Sequence, residues 1–282
     1  EVSSHGLDQG RVDEIGFDLA LFTNLYPDHL DYHKTLEAYA AAKTKLLAKA
    51  DRVIVNADSF WSATEGFTFG IEKGDLRAQD LSFSPNGTEF TIQNCTFRSP
   101  LIGRFNVYNI LGAIAVGSQM GASLAEMRDI LAEFRSVPAR LERIGNVFVD
   151  FAHTGEALEN VLQTLKEICK GRVILVFGCG GDRDPQRRIK MARVADRLAD
   201  VSIITNDNPR TEDPQDIANQ ILSGFQKCPL IELDRKQAIQ QAIAMAEKSD
   251  FVLIAGKGHE RVQIFAHQTL PFDDVAIVKE IL

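Results

Sequence analysis

Cysteine is scarce in this chain and badly spaced for chemistry. The four present, Cys95, Cys169, Cys179 and Cys228, form no CxxC pair, so neither a zinc site nor a disulfide framework is predicted, and a reduced, cytoplasmic setting is expected. Positive charge is also short. With 31 Lys and Arg against 39 Asp and Glu the net charge is -8, which argues against a surface built to displace counterions from nucleic acid. Small anionic ligands stay open, because local clusters decide them. The longest apolar runs, such as Val173–Phe177 and Phe251–Ala255, fall far short of the roughly 20 residues a membrane helix needs, and no leader is visible. Internal repeats and low-complexity tracts are missing. So is any GxxxxGK[ST] phosphate loop, since Gly256-Lys257 is followed by glycine. The first residue is Glu1 rather than Met, on an apolar-polar stretch, which leads to the expectation that an N-terminal part precedes it.

What is there suits a folded protein. Of 282 residues, 45% are hydrophobic, enough for buried cores, and the length is a soft prior for two domains. The first half reads as mixed: an Ala-rich helix over 36–50, a buried strand over 52–56, paired strands within 81–97 turning at Pro85-Asn86-Gly87, and a buried helix over 108–120. Ser123 with Glu126 three residues on predicts a capping box. From about Pro138 the rhythm becomes regular. Strands over 147–151, 172–177, 201–205, 230–233 and 251–255 alternate with helices over 156–169, 188–199, 214–226 and 235–248, which implies βαβ crossovers and a mostly parallel sheet. Such sheets bind ligands at the carboxyl ends of their strands, where the unusual residues of this sequence cluster.

Each cluster has a bland reading beside a functional one. Gly178 to Gly181 follows a strand, but Arg183 stands where GxGxxG needs glycine, so a tight turn competes with a ligand loop. Asp207-Asn208-Pro209-Arg210 reads equally as a turn or as a polar clamp, with Arg210 offering a fork of donors for a carboxylate. Gly256-Lys257-Gly258-His259-Glu260 is either a solvated surface turn or a close backbone approach to a ligand. Asp28 to His33 places two histidines and two acids within six residues, a metal set or a group of caps. Lys43, taken alone on its Ala-rich face, reads as a lysine reaching to solvent.

Taken in order, seven segments resemble the Mur ligase family: Glu1-Val-Ser-Ser-His-Gly-Leu7, Thr23 to His33, Gly103-Arg-Phe-Asn-Val-Tyr-Asn109, Asp150-Phe-Ala-His-Thr154, Phe177 to Arg183, Asp207 to Arg210 and Gly256 to Glu260. The resemblance implies an α/β chain: the later part of a P-loop-type central ATPase domain over 1–137, then a Rossmann-like, doubly wound C-terminal domain over 138–282. It also implies a fragment without the family's N-terminal domain and phosphate loop, inactive alone. Among the members it is similar to those that use ATP and Mg2+ to add meso-2,6-diaminopimelate to UDP-N-acetylmuramoyl-L-alanyl-D-glutamate, an acid-amino-acid ligation of peptidoglycan synthesis that passes through an acyl phosphate. Another Mur or folylpolyglutamate-type amide ligase, and a non-catalytic binding module, are the alternatives.

By the same resemblance Glu1, His29 and a carbamylated Lys43 hold magnesium. Asn109, Arg140 and Asp150 contact the nucleotide, and Ser3, Gln9 and Arg11 hold the UDP-linked substrate. Arg183, Asn208, Arg210, Gly256 and Glu260 form the pocket for the incoming amino acid, and His153 is a further substrate-binding residue. Arg210 is expected to read the distal carboxylate that separates diaminopimelate from lysine. Ala139 departs from the family, which usually has glycine before this arginine; it puts the detail of that hinge in doubt.

Overall fold

The computed structural model describes residues 1–282, except for the side chains of residues 31, 62 and 63. The side chain of Asp31, part of the Asp28–His33 motif, therefore lies outside the described residues. The chain divides into two compact units. One comprises Glu1–Ser82, Gly87–Ser99 and Arg104–Phe134, the other Phe83–Asn86, Pro100–Gly103 and Arg135–Leu282.

The first unit contains α1 (Ser4–Asp8), β1 (Phe17–Phe22), α2 (Leu30–His33), α3 (Leu36–Thr44), β2 (Ala50–Asn56), β3 (Phe67–Gly70), β4 (Leu76–Ser84), β5 (Gly87–Ile92), β6 (Cys95–Ser99), α4 (Arg104–Gln119) and α5 (Leu124–Glu133). Its sheet runs β1-β2-β3-β4-β5-β6. The β1–β2, β2–β3 and β3–β4 pairs are parallel, whereas β5 and β6 form an antiparallel hairpin. Period-two burial of Thr88, Phe90 and Ile92 turns one face of β5 inward, where Phe90 stacks on Phe97 with ring centroids 5.6 Å apart. The capping box at Ser123 and Glu126 is present. The helix expected over 36–50 is shorter. It ends at Thr44, whose hydroxyl bonds back to the Ala40 carbonyl; a short 3-10 turn over Leu47–Lys49 follows, and β2 takes the chain up at Ala50, the ladder partner of Phe17.

The second unit contains β7 (Glu142–Ile144), β8 (Val147–Asp150), α6 (Gly155–Ile168), β9 (Val173–Phe177), α7 (Pro185–Leu198), β10 (Val201–Ile204), α8 (Pro214–Leu222), β11 (Leu230–Ile231), α9 (Arg235–Met245), β12 (Phe251–Ala255), β13 (Val262–Phe265), β14 (Gln268–Pro271) and α10 (Asp274–Ile281). Its main sheet has the order β11-β10-β9-β12-β8-β7, parallel except for β7. Every residue of β8, β9 and β12 is buried, as a strand covered on both faces requires. Val147, Val149, Ile174, Val176, Val252 and Ile254 pack with Ala238 and Ile239 of α9 and Ile277 and Val278 of α10. α6, α7 and α8 form a separate layer that meets β9 and β10, which makes the sheet doubly wound. The expected strand over 230–233 shrinks to two residues. Both are exposed at the sheet edge, so little burial favours a longer strand.

One buried ion pair ties the second unit together. Arg235 at the start of α9 and Asp274 at the start of α10 are each 0% exposed and bond twice, Nε to Oδ1 at 2.9 Å and Nη2 to Oδ2 at 2.8 Å. Arg235 also donates to the carbonyls of Ala255, at the end of β12, and of Asn206, just past β10. Breaking such a pair from one side leaves a buried charge without compensation. Arg235→Met is therefore expected to lose about 3–5 kcal/mol of unfolding free energy, and Arg235→Met with Asp274→Leu to recover most of it. Urea denaturation checks this, and equal losses in both variants would contradict it.

Candidate active site

The loops at the carboxyl ends of β8, β9, β10 and β12 converge on a cavity of about 190 Å3. Phe151, His153, Gly178, Gly180, Arg183, Asp207, Asn208, Arg210, Gly256 and Glu260 are among the residues that line it. The five residues expected around the incoming amino acid are thus together, with His153 beside them. The glycine cluster is there for close approach. A Cβ on Gly178 would stand 2.1 Å from the Thr205 carbonyl oxygen, and one on Gly181 1.8 Å from that of Pro209, so two loops lie backbone against backbone. The Gly181 amide donates to the Asn208 carbonyl at 2.9 Å across that seam.

Arg210 sits in the left-handed region at φ 53, a strained conformation for a side chain this large. Its amide bonds the Ile264 carbonyl, and Nη1 donates to the Gly181 carbonyl at 2.8 Å. Asn208 is fully committed: Oδ1 accepts from Lys257 Nζ and the Ile264 amide, and Nδ2 donates to Glu260. His153 Nδ1 lies 2.8 Å from the Phe151 carbonyl, which only accepts, so Nδ1 carries a proton and, in the neutral ring, Nε2 is the acceptor.

Electrostatics divides the buried carboxylates of this unit. Burial pushes Asp207 above the usual carboxylate range even though Arg235 and Lys257 pull it down, and burial likewise raises Asp150 against the amides of Ala152 and Leu141. Burial also opposes ionisation of Glu260, but the bonds from Asn208 and Lys257 outweigh it and hold this carboxyl below its ordinary value. Asp150 accepts from the Leu141 and Ala152 amides at 2.7 Å each, which fixes the loop that carries Arg140, whose guanidinium lies 4.9 Å over the Phe151 ring. Ala139 and Leu141, on either side of Arg140, both have positive φ, 52 and 50. Ala139 bears strain there that glycine would not.

Three contributors went unrecognised in the sequence. Arg188 is 1% exposed and clamps Glu212 with both Nη atoms while reaching the Gly180 carbonyl, so it anchors the glycine loop. Lys257 is wholly buried rather than solvated. Asp207 lines the cavity. The signal for the last two lay inside segments already singled out; for Arg188 nothing local distinguishes it from a solvated helical arginine.

The first unit holds the other expected residues. Ser3 caps α1 by accepting from the Gly6 amide, Gln9 reaches the Tyr32 hydroxyl at 3.4 Å, and Arg11 and Glu1 are exposed. His29 has φ 54, its amide bonds Asp28, and its ring lies 4.9 Å from His5 and 6.0 Å from Tyr39. Lys43 Nζ stands 5.5 Å from the centre of the Tyr39 ring; burial lowers its pKa, and Glu1 and Asp28 are near enough to oppose that shift. Among the described residues no group of three or more His, Cys, Asp or Glu forms a metal set. Asn109 on α4 bonds Asn106, and its neighbour Tyr108 donates to Asp58, a carboxylate that also accepts the amides of Ile71, Glu72 and Lys73. That contact and burial, the larger cause, push the Tyr108 phenol to about 12. Asp58 is a further organising residue that the sequence did not single out.

Comparison with known proteins places this arrangement. Residues 1–117 match the model of the Mur ligase middle domain, and residues 139–258 that of the Mur ligase, glutamate ligase domain. The chain belongs to the Mur ligase family. It is 45% identical over 97% of its length to a UDP-N-acetylmuramoyl-L-alanyl-D-glutamate--2,6-diaminopimelate ligase of Synechococcus elongatus, and 44% identical over 100% to the protein of the same name in Chlamydia pneumoniae. It covers 60% and 63% of these two relatives. A solved structure of a ligase of that name, 36% identical, superposes with a TM-score of 0.65 over 99% of this chain and 63% of its own. Among the described residues no helix is long and apolar enough to cross a membrane.

The seam between the two loops yields a direct test of this Mur ligase site. Gly181→Ala must part them, and about 1–3 kcal/mol of stability should go with the Gly181–Asn208 bond, while Gly16→Ala, in open space, should cost under ~1 kcal/mol. Thermal unfolding of both variants checks it, and matching midpoints would contradict it.

Proposed function

We propose that this chain serves the ATP-dependent joining of meso-2,6-diaminopimelate to UDP-N-acetylmuramoyl-L-alanyl-D-glutamate, with residues 1–137 as the later part of the ATPase domain and 138–282 as the amino-acid domain. The observation that carries the reading is the pairing, in one cavity, of the Arg210 guanidinium with the Glu260 carboxylate. Opposite charges on one cavity wall suit an end of a substrate that bears both a carboxylate and an ammonium. Diaminopimelate has such an end at both termini and so presents one even while the amine of the other reacts; the distal end of lysine has only the ammonium. The names of the relatives support the same assignment.

The chemistry follows from the residues. Phosphorylation of the glutamyl carboxylate gives an acyl phosphate, and attack by an amine of diaminopimelate then releases phosphate and leaves an amide. An amine attacks only as the free base. His153, with Nε2 available as an acceptor, offers a place for its proton beside the cavity. Asn109, Arg140 and Asp150 are assigned to the nucleotide, and Ser3, Gln9 and Arg11 to the UDP-linked substrate. The 282 residues contain no GxxxxGK[ST] segment.

The donor chemistry of the first unit fits magnesium once Lys43 is modified. Glu1 supplies carboxylate oxygen and His29 a ring nitrogen, and the lowered pKa of Lys43 frees its amine for CO2, which bonds to nitrogen with release of a proton. The resulting carbamate turns a repelling cation into an oxygen ligand. When bound, magnesium neutralises the like charges that a carboxylate and a triphosphate bring together.

Two substitutions test the reading in an assay of the ligation. Arg210→Ala should raise the diaminopimelate requirement by about tenfold or more with ATP affinity scarcely changed, and the unsubstituted protein should use lysine poorly. Comparable turnover with lysine would sink the substrate assignment. Lys43→Ala should lose activity and regain part of it with an added short carboxylic acid. Undiminished turnover without the acid would reject the carbamate.

A further inference from the structure

Lys257 does not line the cavity, yet it is 0% exposed and bonds two residues that do. Its Nζ donates to Asn208 Oδ1 at 2.9 Å and to Glu260 Oε2 at 3.1 Å. The Ile264 amide also donates to Asn208 Oδ1, at 3.0 Å, which turns the Asn208 NH2 group toward Glu260 Oε2 at 2.7 Å. One oxygen of Glu260 therefore receives two donors. Among the described residues the other, Oε1, has no hydrogen bond, and the side chain is 34% exposed. Burying a lysine is expensive and is tolerated when the charge is paired. Here the pairing orients a carboxylate.

We propose that Lys257 is a positioning residue for the amino-acid substrate: acting from outside the cavity, it fixes the Glu260 carboxylate so that Oε1 meets an ammonium group of the incoming amino acid. The proposal rests on the ligase reading for the identity of that amino acid. The groups around Glu260 set its charge. Lys257, Arg210 and Arg235 favour the carboxylate, Asp207 opposes it, and His153 and Arg183 line the same cavity. Without Lys257 the burial that already opposes ionisation would be less compensated, so Glu260 would take up its proton at higher pH. An ammonium contact made by the carboxylate is present above the Glu260 pKa and lost as the pH falls through it. Removing Lys257 must shift that loss upward.

The test uses the 282-residue chain. 13C NMR of the Glu260 carboxyl, assigned by its absence in Glu260→Gln, should give a titration below the ordinary glutamate range in the unsubstituted chain and one higher by about a unit or more in Lys257→Met. Calorimetric titration with meso-diaminopimelate at pH 7 should show about tenfold or more weaker binding in Lys257→Met, with the acidic limb of the binding profile moved to higher pH. Glu260→Gln and the double variant Lys257→Met with Glu260→Gln should bind equally weakly, since a residue that acts through Glu260 adds nothing once the carboxylate is gone. The double variant removes both buried charges, so it also guards against a single variant that fails to fold. An unmoved Glu260 titration, or additive losses in the double variant, would overturn the positioning role. A chain whose Glu260 shifts as stated but whose unsubstituted form does not respond to diaminopimelate would instead overturn the ligase reading, and the ammonium contact with it.

Discussion

The second unit depends on the bond between Arg235 and Asp274. Two fully buried charges are stable only when nearly every donor and acceptor is used, and here the guanidinium spends its donors on a carboxylate and on two backbone carbonyls from different strands. Because those carbonyls end β12 and follow β10, the pair that joins α9 to α10 also fixes the loops at the ligand-binding end of the sheet. Gly178 and Gly181 then let the loop after β9 lie directly on the loop after β10. The cavity walls are consequently backbone surfaces held by ion pairs and amide bonds, a rigid frame on which Arg210, Asn208 and Glu260 are carried.

On that frame, environment moves similar side chains in opposite directions. Asp207 and Asp150 are both buried and both raised; Glu260, less buried and bonded to Asn208 and Lys257, is lowered. A ligand with a carboxylate and an ammonium thus meets an arginine and an ionised glutamate set in advance, which lowers the ordering cost of binding. The same logic runs in reverse at Lys43, where burial favours the neutral amine that carbamylation requires.

Much of this was legible in the sequence because its signals are local. Apolar runs of strand length, the Ser123–Glu126 capping box, and glycines after β9 and β12 announced the alternating architecture and the loops that carry the cavity. The ordered motifs placed five side chains, His153, Arg183, Asn208, Arg210 and Glu260, and the backbone of Gly256, which the fold brings around one space. What could not be read is tertiary. Arg235 and Asp274 lie 39 residues apart, each in the first turn of a helix beside an ordinary aspartate cap, and nothing nearby marks them as core. Lys257 reads as solvated until Asn208 and Glu260 take its buried ammonium, and Arg188 as a surface residue until Gln220 of the next helix and Glu212 of the loop before it arrive. Helix α3 stops at Thr44, short of its Ala-rich reading, and strand pairing takes over only from Ala50.

The account turns on whether the cavity at the carboxyl ends of β8, β9, β10 and β12 reads a second carboxylate on its amino acid. Amide NMR of the 282-residue chain, titrated in parallel with meso-diaminopimelate and L-lysine, addresses that directly. Diaminopimelate should shift the amides of 178–183, 206–210 and 256–260, and lysine at the same concentrations should leave them in place. Equal shifts with both ligands, or shifts confined to residues away from these loops, would contradict it.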